Sequence, residues 1–346
     1  MSLPSFSVLL TNYNQEPYLL RALEKILSQS LRPDEIIIID DCSTDNSVET
    51  IQKILKQNPW IKFIKNEKNL GPVPTFNRVI QAATCDYFHA IGPDDVMLPG
   101  FYEKSLSLVS QYPEAGLCST IVQCQDVQGK NLNLNPSPPY ISKIECFLPP
   151  DSFLKSYMNF GSWYCGTSTI WRREPYWEFG AYAPSELGSL VDTFKFFQLA
   201  VKYGVCFIPE ILHTWTVTAS GFSARARLDP ELALNLIEQA EEFMTSQQWG
   251  LFPSAFINEF KRRGLISIAN TALEKSHYEM MRALNYNEKN RPGISCWDKM
   301  FMALLKRVCK IQYFFTMLHF NFCLYRFLGK WKWNLTFAIK KVLNKN

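Results

Sequence analysis

Two aspartate pairs, each closing an apolar run, are the residues of this chain best suited to chemistry. Asp40-Asp41 follow Ile36-Ile37-Ile38-Ile39, and Asp94-Asp95 follow Tyr87-Phe88-His89-Ala90-Ile91 by way of Gly92-Pro93. Carboxylates gathered at one place have two natural uses. They accept hydrogen bonds from a ribose or a base, or they hold a hard cation against phosphates. A single Asp-Asp pair is better explained by a turn or a helix cap. Two pairs after two strand-like runs, about fifty residues apart, argue instead for a site.

The elements that must position these pairs alternate strand and helix over residues 5–125. Four consecutive β-branched isoleucines are too few for a helix and form a buried strand. Ser7 to Leu10 give a shorter strand before it, and Ile61 to Ile64 and Tyr87 to Ile91 two more after it. Leu19, Leu20, Leu23, Ile26 and Leu27 share one helical face. Val48, Ile51, Ile54 and Leu55 share a second, and Phe76, Val79, Ile80 and Ala83 a third. Asp45, Asn46 or Ser47 caps the second of these helices. The rhythm predicts an α/β fold with a mostly parallel, Rossmann-like central sheet flanked by helices. Ligands of such sheets bind beyond the carboxyl ends of the strands, where both aspartate pairs fall. Asn133 to Tyr140, with three prolines, is a surface connection. A strand is expected over Thr167 to Trp171, a helix over Val191 to Tyr203, a strand over Val205 to Ile208, and mostly helix from Pro230 onward.

With 346 residues, 47% of them hydrophobic, the chain has material for about two domains. We expect 1–225 to carry the site and 226–346 to be a helical, basic extension. The net charge of +4 hides an asymmetry: residues 299–346 hold ten Lys or Arg and no acidic residue, leaving 26 basic against 32 acidic side chains elsewhere. A basic tail on a mildly acidic body suits an anionic partner, and nothing in the balance suggests nucleic acid. Ile311 to Leu328 is apolar and aromatic, but Gln312, His319, Asn321 and Arg326 interrupt it and disfavour a spanning helix. Two readings stay open: interfacial helices on an anionic membrane surface, or a basic amphipathic helix packed on the domain. Ten cysteines without a Cys-x-x-Cys pair or a Cys/His cluster indicate reduced thiols in the cytoplasm rather than disulfides or a zinc site. Met1 to Ser5 lack the basic residues and cleavage site of a signal peptide.

Four motifs then occur in series: Val8-Leu9-Leu10-Thr11-Asn12-Tyr13-Asn14, Asp40-Asp41-Cys42-Ser43-Thr44-Asp45, Asn69-Leu70-Gly71 with Asn77, and Gly92-Pro93-Asp94-Asp95 with Pro99. In order and spacing the chain resembles the family 2 glycosyltransferases over roughly residues 5–225. The resemblance implies a GT-A fold and transfer of a sugar from a nucleotide diphosphate, with UDP the expected carrier, with inversion. It implies that Thr11, Asn12 and Tyr13 line the donor site, Tyr13 by stacking on the base or by packing. Asp41 would accept the imide N–H of uracil, a charge-assisted hydrogen bond, with Asp40 supporting the loop. Asn69, Gly71 and Asn77 complete the nucleotide side. Asp94 would lie near the ribose and Asp95 on Mg²⁺ or Mn²⁺.

The same resemblance places a general base at Asp192, where an inverting transfer needs a carboxylate to take the proton of the incoming hydroxyl. A carboxylate interacting with a helix N-terminus is the other reading of Asp192. Trp163, Tyr164 and Gly166 would line the sugar pocket, and Thr214 to Ser223 would form the segment that closes over the diphosphate, with Thr216 and Thr218 where relatives use Arg and His. His213 is packed, exposed, or part of this site. The chain departs from the family pattern at Gly92, where many relatives have Asp, at Phe76, where a basic residue is common, and at Val191, where Glu is usual. Arg78, after Asn77, reads as a solvated helix face. The implied partners are a nucleotide-sugar donor and a glycan or lipid-linked acceptor of surface polysaccharide synthesis, at the inner face of the cell membrane. A catalytically silent relative or a nucleotidyltransferase are the competing readings. The latter lacks a Gly-rich loop in Thr11 to Pro17, and a dehydrogenase lacks Gly-x-Gly-x-x-Gly.

Overall fold

The isoleucine run is the centre of strand β2 (Glu35–Asp40), every residue of which is buried in the computed structural model. The structure describes residues 3–132, 141–161, 164–180, 184–218, 221, 229–246, 251–265 and 267–268. β1 (Phe6–Asn12), β2, β3 (Lys62–Lys65) and β4 (Tyr87–Ile91) run parallel in the order β3-β2-β1-β4. Ile36 to Ile39 are 0% exposed, so both faces of β2 are covered and each side chain contributes about 2 kcal/mol of burial. The crossovers are α1 (Glu16–Leu27), α2 (Ser47–Gln57) and α3 (Pro72–Ala82). α1 buries Leu19, Ala22, Leu23 and Ile26. Leu20, expected on that face, is 55% exposed, because it stands about 100° round the helix from Leu19. Pro72 opens α3, where a missing N–H costs nothing.

After β5 (Val96–Met97) and α4 (Phe101–Gln111), the sheet grows from strands distant in sequence. These are β6 (Leu117–Gln125), β7 (Cys146–Leu148), β8 (Thr169–Arg172) and β9 (Val205–Thr216). The order continues β4-β8-β6-β9-β5, with β7 also on β9. β8 is antiparallel to both neighbours, β6 and β9 are parallel, and β5 and β7 are antiparallel to β9. Helices α5 (Pro150–Phe160), α6 (Arg173–Glu178) and α8 (Pro230–Thr245) follow strands β7, β8 and β9, α7 (Val191–Tyr203) follows α6, and a further helix begins at residue 254. Phe153, Phe197 and Phe256 are buried around Tyr157, whose ring lies 4.4 Å from that of Phe256. Contacts divide the chain into two units, Met1–Ala226 with Asn235–Lys261, and Arg227–Leu234 with Arg262–Asn346.

Three boundaries differ from expectation, each for a physical reason. β1 does not end at Leu10: Thr11 pairs with Ile39 and Asn12 with Asp40, so both belong to the strand. The strand expected from Thr167 begins at Thr169, because Gly166–Ser168 turn as a 3₁₀ helix. β9 passes Ile208 and continues to Thr216, its register shifting against Thr120 to Val122 so that Pro209 and Glu210 drop out of the ladder. Asn133 to Tyr140, Trp163, Phe222, Ser223 and the basic stretch 299–346 lie outside the described residues. Among the described residues no helix is long and apolar enough to cross a membrane.

Candidate active site

The carboxyl ends of β1 and β2 are sewn together by the first aspartate pair. Asp40 is buried, and its Oδ2 accepts from Asn12 Nδ2 (2.8 Å) and Ser43 Oγ (2.6 Å), while Oδ1 accepts from Ser43 N–H (2.9 Å). Asn14, at φ 52°, braces the same loop: its Oδ1 accepts from the Thr44 N–H at 2.8 Å. Cys42 also takes a left-handed conformation, φ 62°, which is costly for a residue with a Cβ. Asp41 points to the next loop. Its Oδ1 accepts from Asn66 Nδ2 (2.7 Å) and Leu70 N–H (2.8 Å), and its Oδ2 from Gly71 N–H (2.9 Å). A carboxylate has about four acceptor positions, so one remains for a ligand. Gly71, at φ 84°, also receives the Asn69 side chain, and Asn77 is buried in α3 beneath. Arg78 is exposed on α3, as a solvated helix face predicts, while its guanidinium also donates to Asn66 Oδ1. Tyr13 is 46% exposed.

The second pair forms the turn between β4 and β5. Gly92 matters here for what it leaves out: a Cβ built on it would lie 2.9 Å from Asp94 Oδ1. The Asp94 carboxylate therefore rests in the space a side chain at position 92 would fill. Burial raises its pKa, opposed by a hydrogen bond from Gln15 and the charge of Arg21, whose guanidinium reaches the Asp94 carbonyl at 3.4 Å. Asp95 is buried, and burial, then the charge of Asp94, push it well above the usual carboxylate range. Its Oδ1 accepts from the Thr216 N–H at 2.9 Å, while the Thr216 hydroxyl donates to the Asp94 carbonyl at 2.6 Å. The end of β9 is thus clamped to the acidic turn.

Asp192 lies in the first turn of α7 and packs against Gly166. Burial raises its pKa to about 6. The phenols of Tyr164 and Tyr176 face it, both raised chiefly by their own burial and then by its charge. One turn on, the Lys195 ammonium is directed away, to the carbonyls of Tyr176, Phe179 and Gly180 at the end of α6, over the Tyr176 ring. Burial lowers its pKa to about 7. Next to Gly166, the Cys165 thiol feels Asp95: burial, a Thr167 contact and the Asp95 charge together leave its pKa at about 12. The Cys165–Gly166 turn thus packs against Asp192 and senses the charge of Asp95.

His213 is not part of this surface. It is buried against His89 and Phe101, with its Nδ1–H donating to the Thr214 carbonyl at 3.1 Å. His89 instead supports the site from beneath. Its Nε2–H donates to the Thr167 carbonyl at 2.8 Å, leaving Nδ1 to meet the Tyr102 hydroxyl. Sequence reasoning missed Asn66, Gln15 and Arg21. Asn66 directly follows β3, and the rule that ligands sit at strand carboxyl ends could have found it. Gln15 and Arg21 carry no such signal, since a polar residue on an exposed helix is unremarkable in sequence.

The fold is of the α/β class, with both aspartate pairs beyond the carboxyl ends of parallel strands. The chain belongs to glycosyl transferase family 2, whose model matches residues 7–179. An uncharacterized glycosyltransferase of Haemophilus influenzae is 33% identical over 111 residues, 32% of this chain and 44% of that protein. The amylovoran biosynthesis glycosyltransferase AmsE of Erwinia amylovora is 30% identical over 127 residues, 36% of this chain and 48% of that protein. The chain spans less than half the length of these curated relatives. The crystal structure of S. aureus TarS in complex with UDP-GlcNAc superposes with a TM-score of 0.58 at 16% identity, covering 83% of this chain and 76% of that one. At that identity the likeness establishes the fold, which is GT-A.

Proposed function

We propose that the chain is an inverting glycosyltransferase that moves a sugar from a UDP donor to a glycan or lipid-linked acceptor of surface polysaccharide synthesis, with a divalent metal. The observation that carries this reading is the Cys165–Gly166 turn, whose glycine packs against Asp192 and whose thiol senses the charge of Asp95. It links a place for the donor's phosphates to a place for a base. Family membership supports the reaction class, AmsE the polysaccharide context, and the UDP-GlcNAc complex of TarS the carrier.

Thr11 and Asn12 end β1 under the base, and Tyr13 stacks on it from the rim. Asp41 offers its remaining acceptor position to the imide N–H while Asn69, Gly71 and Asn77 hold the loop that it ties down. Asp94 reaches the ribose. Asp95 suits Mg²⁺ or Mn²⁺, because two adjacent carboxylates, one buried and one half-buried, both with raised pKa values, are the environment a dication relieves. Among the described residues no group of three His, Cys, Asp or Glu stands there, so phosphate oxygens and water would complete the shell. Bound there, the ion supplies charge neutralisation on the leaving diphosphate. Asp192, ionised near neutral pH, takes the proton of the acceptor hydroxyl as that oxygen attacks the anomeric carbon from the face opposite the diphosphate. The test is a thermal-shift panel of nucleotide sugars with and without Mn²⁺, followed by product anomer analysis with the donor that binds. Bound ligand stabilises the fold by mass action. A panel in which no UDP-sugar shifts the transition overturns the donor assignment, and a retained anomer overturns inversion.

A further inference from the structure

We infer that Gly166 is a positioning residue: its missing side chain is the seat of the Asp192 carboxylate. The inference rests on the reading of Asp192 as base and deepens it. A Cβ built on Gly166 would lie 2.7 Å from Asp192 Oδ2, 3.4 Å from its Cγ and 3.0 Å from the Tyr164 hydroxyl. Real Cβ atoms essentially never come within 3.0 Å of another heavy atom. The carboxylate thus occupies volume that any other residue at 166 would claim.

Which side would yield is decided by what holds each. The turn is held by four hydrogen bonds, three on one carbonyl and one from β4. The Thr167 carbonyl accepts from His89 Nε2–H (2.8 Å), the Cys165 carbonyl accepts from Thr169 Oγ1 (2.9 Å) and Ser168 Oγ (3.2 Å), and Ser168 N–H bonds the same carbonyl at 3.1 Å. His89 is itself fully buried in β4. On the other side, α7 is fixed by Val191, Phe194, Phe196 and Phe197, all buried. Between two fixed backbones the side chains must yield, the Asp192 carboxylate first at 2.7 Å and the Tyr164 hydroxyl next at 3.0 Å. Gly166 has no left-handed φ, so alanine there meets no backbone strain and its effect passes through the carboxylate. The groups facing Asp192 are Tyr164 and Tyr176, with Cys165 beside Gly166 and Lys195 on the same helix turned to the end of α6. None of them supplies a positive charge to the carboxylate, so its proton affinity follows its burial.

The test needs no knowledge of the acceptor. Protein carrying ¹³Cγ-labelled aspartate is titrated by NMR, and the Asp192 signal is assigned by its loss in Asp192→Asn. We expect a midpoint near 6 in the wild type and a lower one in Gly166→Ala, as the displaced carboxylate gains water. The affinity for UDP stays within about twofold, while turnover of whichever nucleotide sugar binds falls toward that of Asp192→Asn; the substitution has no further effect in the Asp192→Asn background. An unchanged midpoint in folded Gly166→Ala overturns the inference. If Gly166→Ala fails to fold, the double variant Gly166→Ala/Asp192→Ala decides: recovery supports a clash with the carboxylate, and continued failure shows that the turn itself requires glycine. The base reading fails separately, if Asp192→Asn keeps normal turnover while the midpoint in Gly166→Ala still moves.

Discussion

Replacing Asp41 by Asn tests whether the nucleotide side of the cleft is held by one carboxylate. Asp41 accepts three hydrogen bonds, from Asn66 Nδ2 and Leu70 N–H on Oδ1 and from Gly71 N–H on Oδ2. An amide has one oxygen. Its best placement puts Oδ1 under Asn66 and Leu70 and turns the NH₂ toward Gly71, so two bonds survive without charge assistance and the Gly71 N–H keeps only Asn69 Oδ1. Charge-assisted bonds are roughly twice as strong as neutral ones, so the surviving pair loses about 0.5–1 kcal/mol each. The lost second acceptor of Gly71 N–H costs about 0.5–1.5 kcal/mol. The sum is about 1.5–3.5 kcal/mol, which for a cooperative unit of this size lowers Tm by roughly 4–12 °C. Thermal unfolding followed by circular dichroism measures this directly, and UDP affinity by calorimetry should fall with it because the 66–71 loop loses its tie. A Tm within about 2 °C of the wild type would refute the reasoning, since an exposed carboxylate behaves that way and one that organises a loop does not.

Asp95→Asn should abolish the gain in UDP affinity on adding Mn²⁺; a wild type indifferent to metal would remove the metal assignment. Asp192→Asn should leave UDP binding nearly intact while lowering transfer roughly 10²- to 10⁴-fold, the usual range for loss of a general base. Because the base must be ionised, kcat/KM should fall tenfold per pH unit below about 6, and a flat profile down to pH 5 would contradict the raised pKa of Asp192. The sign for stability is opposite: the folded state holds this proton more tightly than the unfolded chain, so the contribution of Asp192 is lost as pH rises toward 6. Cys42→Gly should raise stability by up to about 1 kcal/mol by relieving its left-handed backbone, read as a higher urea midpoint at unchanged slope. Deleting 299–346, with its ten basic and no acidic residues, should reduce co-sedimentation with anionic liposomes and spare UDP binding; equal sedimentation of both forms would place membrane contact elsewhere.

The donor half of the fold was legible because its signals are local. Ile36 to Ile39 could only be a buried strand, and the 3.6-residue periodicity in α1 to α3 identified helices of nearly the right length. The acceptor half was legible only in pieces. β8 is four residues long and follows a 3₁₀ turn, and its antiparallel place between β4 and β6 is a matter of long-range pairing that no window of sequence contains. The same holds within the site. Asp41 and Asp95 could be marked from motif and strand end, but the partners that fix them, Asn66 and Thr216, come from loops and strands up to 121 residues away. Leu20 misled because an apolar residue on an exposed helix position carries no mark of its exposure.

The strand order has a consequence for how the chain is made. β1 to β4 are complete once residue 91 has been synthesised and can pair with one another at once. β6 cannot. Both its neighbours, β8 and β9, lie later in the chain, and the second is finished only at Thr216. At about 5–20 residues per second, β6 waits roughly 5–20 s between its own synthesis and that of its last partner. Throughout that interval Leu117–Gln125, nearly all of it buried in the finished protein, presents apolar side chains and two open edges. During synthesis a strand that will end in the middle of the sheet is therefore an open edge, covered only after residues 125 to 216 have been made.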